Sequence, residues 1–82
     1  MAADILIVDD EADIRELIGG ILEDEGYEAR LAADSDSALA AIADRKPSMV
    51  VLDIWLQGSR LDGLELLEVI KERHADLSVV II

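Results

Sequence analysis

Eighty-two residues with no cysteine make at most one small domain, which excludes a disulfide framework, a thiolate metal site and a cysteine nucleophile, and suits a reducing compartment. The net charge of −12, nineteen acidic residues against seven basic, disfavours direct contact with nucleic acid or an anionic membrane and suits a cation or a basic protein surface. No apolar run approaches the ~20 residues that span a bilayer, and the first residues lack a basic stretch followed by a long apolar one, so a soluble, cytoplasmic protein is expected.

In chain order, residues 4–8 read as a first strand, with Ile5, Leu6, Ile7 and Val8 forming an unbroken apolar run that suits a central strand buried on both faces. The run ends in Asp9, Asp10 and Glu11. From Glu11 the apolar residues fall at Ile14, Leu17, Ile18, Ile21 and Leu22, the spacing of a helix with one buried stripe. Gly19 and Gly20 interrupt it at up to ~1 kcal/mol each relative to alanine, and a close strand–helix contact is the expected reason. Gly26 stands where a left-handed C-terminal cap belongs. Tyr27, Ala29 and Leu31 then alternate with Glu28 and Arg30, so residues 27–32 predict a strand with one wetter face at a sheet edge. Asp34 or Asp36 can cap a second helix over 35–45, with a stripe of Ala38, Leu39, Ala41 and Ile42, and Pro47 forbids its continuation.

Residues 49–54 predict the third strand: five apolar residues interrupted by Asp53. An ionised carboxylate in so apolar a run carries a desolvation penalty unless it is compensated. A loop over 55–63, long for a strand-to-helix connection, leads into a third helix over 63–74 with an apolar face of Leu64, Leu66, Leu67, Val69 and Ile70. Ser78 to Ile82 begin a further buried strand. The order β-α-β-α-β-α-β implies an α/β fold with a parallel sheet, right-handed crossovers and helices on both faces. A last strand apolar on both faces should be neither a sheet edge nor the end of a domain. The chain is therefore expected to be the first part of a larger domain.

Ligand sites in open α/β sheets lie at the C-terminal ends of the strands, where Asp9, Asp10 and Asp53 would meet if the first and third strands are neighbours. Like charges ~4 Å apart repel by about 4 kcal/mol at an effective dielectric near 20, so the cluster should bind a cation or raise one pKa. With oxygen ligands alone, Mg²⁺ or Mn²⁺ is favoured over zinc. The reading that follows is that Asp53 accepts a phosphoryl group while Asp9 and Asp10 help to hold the cation. The plainer alternative for Asp9, Asp10 and Glu11 is a solvated turn with a helix cap. Asp62 and Gly63 read chiefly as a turn and cap, and His74 as a helix C-terminal residue favoured by the macrodipole. Trp55 could pack the loop or line the pocket. A dinucleotide site would need a glycine-rich turn where this chain has Asp9, Asp10 and Glu11, and an Asp-x-Asp phosphatase would need an acid where it has Trp55.

Ile5 to Glu11, then Val50 to Asp53, then Asp62 to Leu67 resemble the receiver domain of two-component response regulators, over essentially all 82 residues. The resemblance implies a flavodoxin-like (CheY-like) sheet of order 2-1-3-4-5, of which residues 1–82 would be the N-terminal part, with no linker or output domain in this chain. It implies Asp53 as phosphoacceptor, Asp9 and Asp10 as the acidic metal pair, and the backbone carbonyl of Trp55 completing the Mg²⁺ sphere. It further implies a sensor histidine kinase and an output domain as partners and a module that is not an enzyme, while the uncovered apolar edge of Val79 to Ile82 makes a second copy of the chain a candidate partner. The long loop from Trp55 to Leu61 looks like that of the nitrogen-regulation regulators of the NtrX type, which implies control of transcription in nitrogen metabolism. The family's switch hydroxyl residue and its lysine would both fall beyond Ile82. The alternative is a receiver-fold interaction module, or an inactive fragment, that takes no phosphoryl group.

Overall fold

A computed structural model describes residues 3–82, so the first two residues of the domain expected over 1–82 lie outside the described range. The elements are β1 (Asp4–Val8), α1 (Ala12–Asp24), β2 (Glu28–Ala32), α2 (Ser35–Asp44), β3 (Met49–Leu52), α3 (Gly63–Arg73) and β4 (Ser78–Ile81). All strands pair in parallel in the order β2-β1-β3-β4. This is the expected α/β order, with β1 and β3 adjacent at the centre.

Side chains alternate across a strand, and the two central strands are apolar from Ile5 to Val8 and from Met49 to Leu52, so each face of the sheet has its own core. Leu6, Val8, Val50 and Leu52 face α2 and α3, where Ala38, Ile42, Leu66, Ile70 and Leu77 close over them. Ile5, Ile7 and Val51 face α1 and are covered by Ile18 and Leu22. The stripe expected on α1 is wider than the stripe that packs, because a single helix lying on a sheet buries only the residues aimed at it. Leu17 and Ile21, on the flank of that stripe, are 60% and 55% exposed.

The two glycines of α1 divide. Gly19 is buried, and a methyl group there would lie 3.5 Å from Leu31, 3.7 Å from Ala29 and 3.8 Å from Ile7, which is ordinary contact, so close approach is real but does not exclude alanine. Gly20 is exposed with nothing within 4 Å of such a methyl, and the contact expected for it is absent. Gly20→Ala is accordingly expected to stabilise the fold by up to about 1 kcal/mol through helix propensity alone, which a denaturant titration against the parent protein would measure. Gly26 has φ 91°. The Gly26 N–H donates to the Glu23 carbonyl and the Tyr27 N–H to the Leu22 carbonyl, a left-handed C-terminal cap that satisfies two end carbonyls of α1.

β2 is an edge strand as expected, with Ala29 packed on the core and Glu28 exposed, but Leu31 and Arg30 depart from the expected alternation. Leu31 is 48% exposed, because the glycines of α1 lay little side chain over it. Arg30, expected outward, is tucked beneath α2 and donates to Asp4 and to the carbonyls of Ala41 and Arg45. It thereby satisfies carbonyls at the end of a helix whose last turn holds no basic residue. Burial works to raise the Asp4 carboxyl, and Arg30 and Arg45 outweigh it, holding Asp4 below the ordinary carboxylate value.

Asp34, the first of the two candidates, caps α2 in a reciprocal arrangement with Ser37, and α2 ends at Asp44, before Pro47. Asp62 caps α3 in the same way with Glu65. Leu66 and Ile70 of α3 are buried, whereas Leu64, expected on the apolar face, is 55% exposed. β4 lies at the sheet edge, so the expectation of burial on both faces does not hold for it. Val79 packs against the core while Val80, Ile81 and Ile82 are 45%, 42% and 48% exposed, since no strand pairs on the outer side of β4 among the described residues. Within those residues no helix is long and apolar enough to cross a membrane.

Candidate metal centre

The parallel register of β1 and β3 pairs Val8 with Leu52, so the residue after each strand arrives at the same edge of the sheet. The strand expected over 49–54 stops at Leu52, and Asp53 follows it, half-buried. Its N–H still donates to the Val8 carbonyl at 2.9 Å, a continuation of the ladder that fixes its backbone. Asp9 is held from the other side, its N–H donating to the Ala32 carbonyl of β2 at 3.1 Å. One oxygen from each of Asp9, Asp10 and Asp53 lies within 4.8 Å of the others. Two of the three are fixed by sheet hydrogen bonds, and the third is their chain neighbour.

Asp9 is only 4% exposed, which excludes the solvated-turn reading for it. Its Oδ1 accepts the Glu11 N–H at 2.9 Å, and Arg15 Nη1 donates to its carbonyl at 2.8 Å, so the first turn of α1 grips the β1 end from above. Glu11 precedes α1 and makes no side-chain cap. Asp53 Oδ1 accepts the Trp55 N–H at 2.9 Å, folding the loop back on the carboxylate. Burial pushes the Asp53 carboxyl above its ordinary value, with Asp9 and Asp10 adding to the rise and the Trp55 N–H opposing it. The donor set is three carboxylates with no nitrogen or sulfur, which suits a small hard divalent cation.

Of the expected site residues, Asp9, Asp10 and Asp53 are brought together. Trp55 is placed against Asp53 through its N–H, while the residue as a whole is 77% exposed and lines a shallow cavity with Leu56, Asp62 and Leu64. Asp62 is engaged as the cap of α3, and His74 stands at the C-terminal end of that helix.

Two features of the site escaped the sequence reading. Gly63 looked like a turn residue, yet a Cβ there would come within 2.5 Å of the carbonyl oxygens of both Asp53 and Ile54, so the start of α3 is pressed against the backbone of the candidate acceptor. The signal was present in the Asp62-Gly63 pair but has the same form as an ordinary turn. The loop after Asp53 is also pinned to α2: the Ser35 N–H donates to Ser59 Oγ at 2.7 Å, the Leu61 N–H donates to Ser35 Oγ at 3.1 Å, and Arg60 pairs with Asp36 at 2.8 Å. Residues 24 to 26 apart in sequence carry no periodic signal, and nothing in the chain pointed to this contact.

Comparison with known proteins shows the family of the chain. The response regulator receiver domain family matches residues 5–82. The chain is 67% identical over 82 residues to the nitrogen assimilation regulatory protein NtrX of Azorhizobium caulinodans, covering all of this chain and 18% of that protein. The crystal structure of NtrX from Brucella abortus superposes with a TM-score of 0.96 at 69% identity, over 99% of this chain and 18% of that one. The crystal structure of the receiver domain of NtrX from Brucella abortus gives a TM-score of 0.94 at 68% identity, over 95% of this chain and 65% of that one. These findings correct the expectation that the module is not an enzyme. What they support is a receiver domain similar to named regulators, and a regulator's description makes no statement about catalysis. A carboxylate with a raised pKa beside two others is moreover the kind of group that does chemistry, so the exclusion does not stand.

Proposed function

Because the chain belongs to the response regulator receiver domain family, in its NtrX-type branch, we propose that it is the phosphoacceptor module of a two-component regulator. Asp53 accepts the phosphoryl group from a phosphohistidine of a sensor histidine kinase: an Asp53 oxygen forms the new bond to phosphorus as the bond to the imidazole nitrogen breaks. Asp9, Asp10, Asp53 and the Trp55 carbonyl would hold Mg²⁺ or Mn²⁺, which when bound neutralises the clustered carboxylates and the oxygens of the transferring group. The Trp55 N–H and the ladder bond to Val8 orient the acceptor. Asp9, gripped by Arg15 and Glu11, stays in place when the charge on the site changes.

The observation that carries this reading is the convergence of the three carboxylates within 4.8 Å at the ends of the two central strands. The chain spans 18% of the length of the Azorhizobium regulator, and residues 1–82 are read as the receiver part of such a regulator, acting on an output domain that controls transcription in nitrogen metabolism. A cytoplasmic location, and no direct contact of this domain with nucleic acid or membrane, go with that reading. Incubation with acetyl phosphate and Mg²⁺ followed by mass spectrometry tests it: one acid-labile phosphoryl group on Asp53, absent when the metal is chelated, is expected. No uptake, or uptake mapped to another residue, would overturn it.

The metal assignment has its own test. Asp10→Ala is expected to weaken Mg²⁺ binding by at least about tenfold, followed through the fluorescence of Trp55, the one tryptophan. Asp62→Ala, which removes the cap of α3 and no carboxylate of the cluster, should shift the titration far less. Identical curves for the two variants would take the acidic pair out of the site.

A further inference from the structure

We infer that the clasp between Ser35 and Ser59 positions the loop after Asp53 for metal binding, making these two serines positioning residues for a site neither of them touches. The inference rests on the metal reading proposed above and deepens it. Ten residues, 53–62, separate the end of β3 from α3, and a connection of that length is free to adopt many shapes. Its first residues must nevertheless hold one shape, since the Trp55 backbone is the part of the loop that lies against the acceptor carboxylate.

Three contacts restrict it. Ser35, at the first position of α2, is fully buried, and it and Asp9 are the buried polar residues of the core. Its N–H is one of the four at a helix start with no partner inside the helix, and that N–H donates to Ser59 Oγ at 2.7 Å. In the reverse direction Ser35 Oγ accepts the Leu61 N–H at 3.1 Å. Each serine therefore serves the other's segment, and among the described residues no buried side-chain polar atom is left unpaired. The Arg60–Asp36 pair at 2.8 Å lies alongside, exposed on both sides, and by itself contributes little. Between clasp and acceptor, Leu56 is only 5% exposed and Gly58 turns the chain at φ 65°. The loop is thus tied at Asp53, at Leu56, at the serines and at Asp62, and α2 is the outside element to which its middle is fastened.

Mg²⁺ demands near-ideal octahedral geometry at about 2.1 Å, whereas Ca²⁺ accepts looser and more variable spheres. A loop carbonyl that has lost its tether should therefore cost affinity for the small ion more than for the large one. That ratio separates positioning from mere loss of stability, which would move both ions together.

The test is a pair of titrations, Mg²⁺ and Ca²⁺, read by Trp55 fluorescence in the parent protein, Ser59→Ala, Ser59→Thr and Asp10→Ala. Ser59→Ala is expected to weaken Mg²⁺ by about tenfold and Ca²⁺ by less than about threefold, with Ser59→Thr restoring the parent ratio through its hydroxyl. Amide exchange without metal should show faster exchange at Ser35 in Ser59→Ala. Ser35→Ala, which withdraws the acceptor from Leu61 instead, should shift the ion ratio in the same direction, and it replaces Ser59→Ala should that variant fold poorly. Unchanged Mg²⁺ affinity, or an equal loss for both ions, overturns the inference while the metal site stands, provided Asp10→Ala has weakened binding. An Asp10→Ala protein that titrates like the parent overturns the metal reading, and this inference with it.

Discussion

Asp53→Asn is expected to abolish acid-labile phosphoryl uptake while leaving the fold as stable as the parent or up to about 1 kcal/mol more stable at neutral pH. The two effects have one origin. Burial, reinforced by Asp9 and Asp10, raises the pKa of Asp53 above its ordinary value, so the folded state binds this proton more tightly than the unfolded chain does. Stability contributed by the group is then greatest at low pH and declines as pH rises from the ordinary carboxylate value of 3.8 through the raised one. Asparagine removes that decline along with the nucleophile. Thermal unfolding of parent and variant across this range should therefore show curves that coincide at the acid end and separate as pH rises, with the variant above. A variant less stable at neutral pH than in acid, relative to the parent, would show that the carboxylate is favourably compensated even without a cation.

Gly63→Ala should be the more damaging substitution to the fold, by about 3 kcal/mol, the upper range for forced overpacking of a tight interior contact. The added Cβ would meet the Asp53 carbonyl at 2.5 Å, the Ile54 carbonyl at 2.5 Å and the Ile54 Cα at 2.6 Å. These are backbone atoms that cannot swing aside as a side chain can. Relief requires α3 to retreat or the end of β3 to move, and the second displaces Asp53 itself. Denaturant unfolding should show the loss, and at temperatures where the variant remains folded its phosphoryl uptake should be slower than the parent's. A stability within about 0.5 kcal/mol of the parent would mean that α3 can withdraw without disturbing β3.

The contrast between these residues shows how far each kind of information reaches. Asp53 was legible because its chemistry conflicts with its surroundings: a charge after four apolar residues calls for a cause whatever the fold. The strands were legible for a related reason, since β1 and β3 are apolar at successive positions and only a sheet covered on both faces accommodates that. The caps at Gly26, Asp34 and Asp62 depend on residues three to five apart, and local chain geometry suffices to place them. Leu17 and Ile21 mark the limit of such patterning. Helical spacing shows that α1 has an apolar side but not how much of it the neighbouring sheet reaches.

By itself, then, the sequence determined the order and type of the elements and the central place of β1 and β3, and it marked Asp53 as a charge that needs a cause, because each follows from local propensity or from the penalty on burying the wrong group. That Asp9 and Asp10 converge on Asp53 was decided by the register of the two strands. Only the tertiary structure decided what depends on distance between segments remote in the chain. It turned Arg30 inward to the end of α2, left Leu31 half open above glycines, and placed Gly63 against the backbone of Asp53 and Ile54. It also closed the clasp from Ser35 to Ser59. Each of these is a packing or hydrogen-bonding match between surfaces made by different elements, and a one-dimensional pattern holds no record of which surfaces meet.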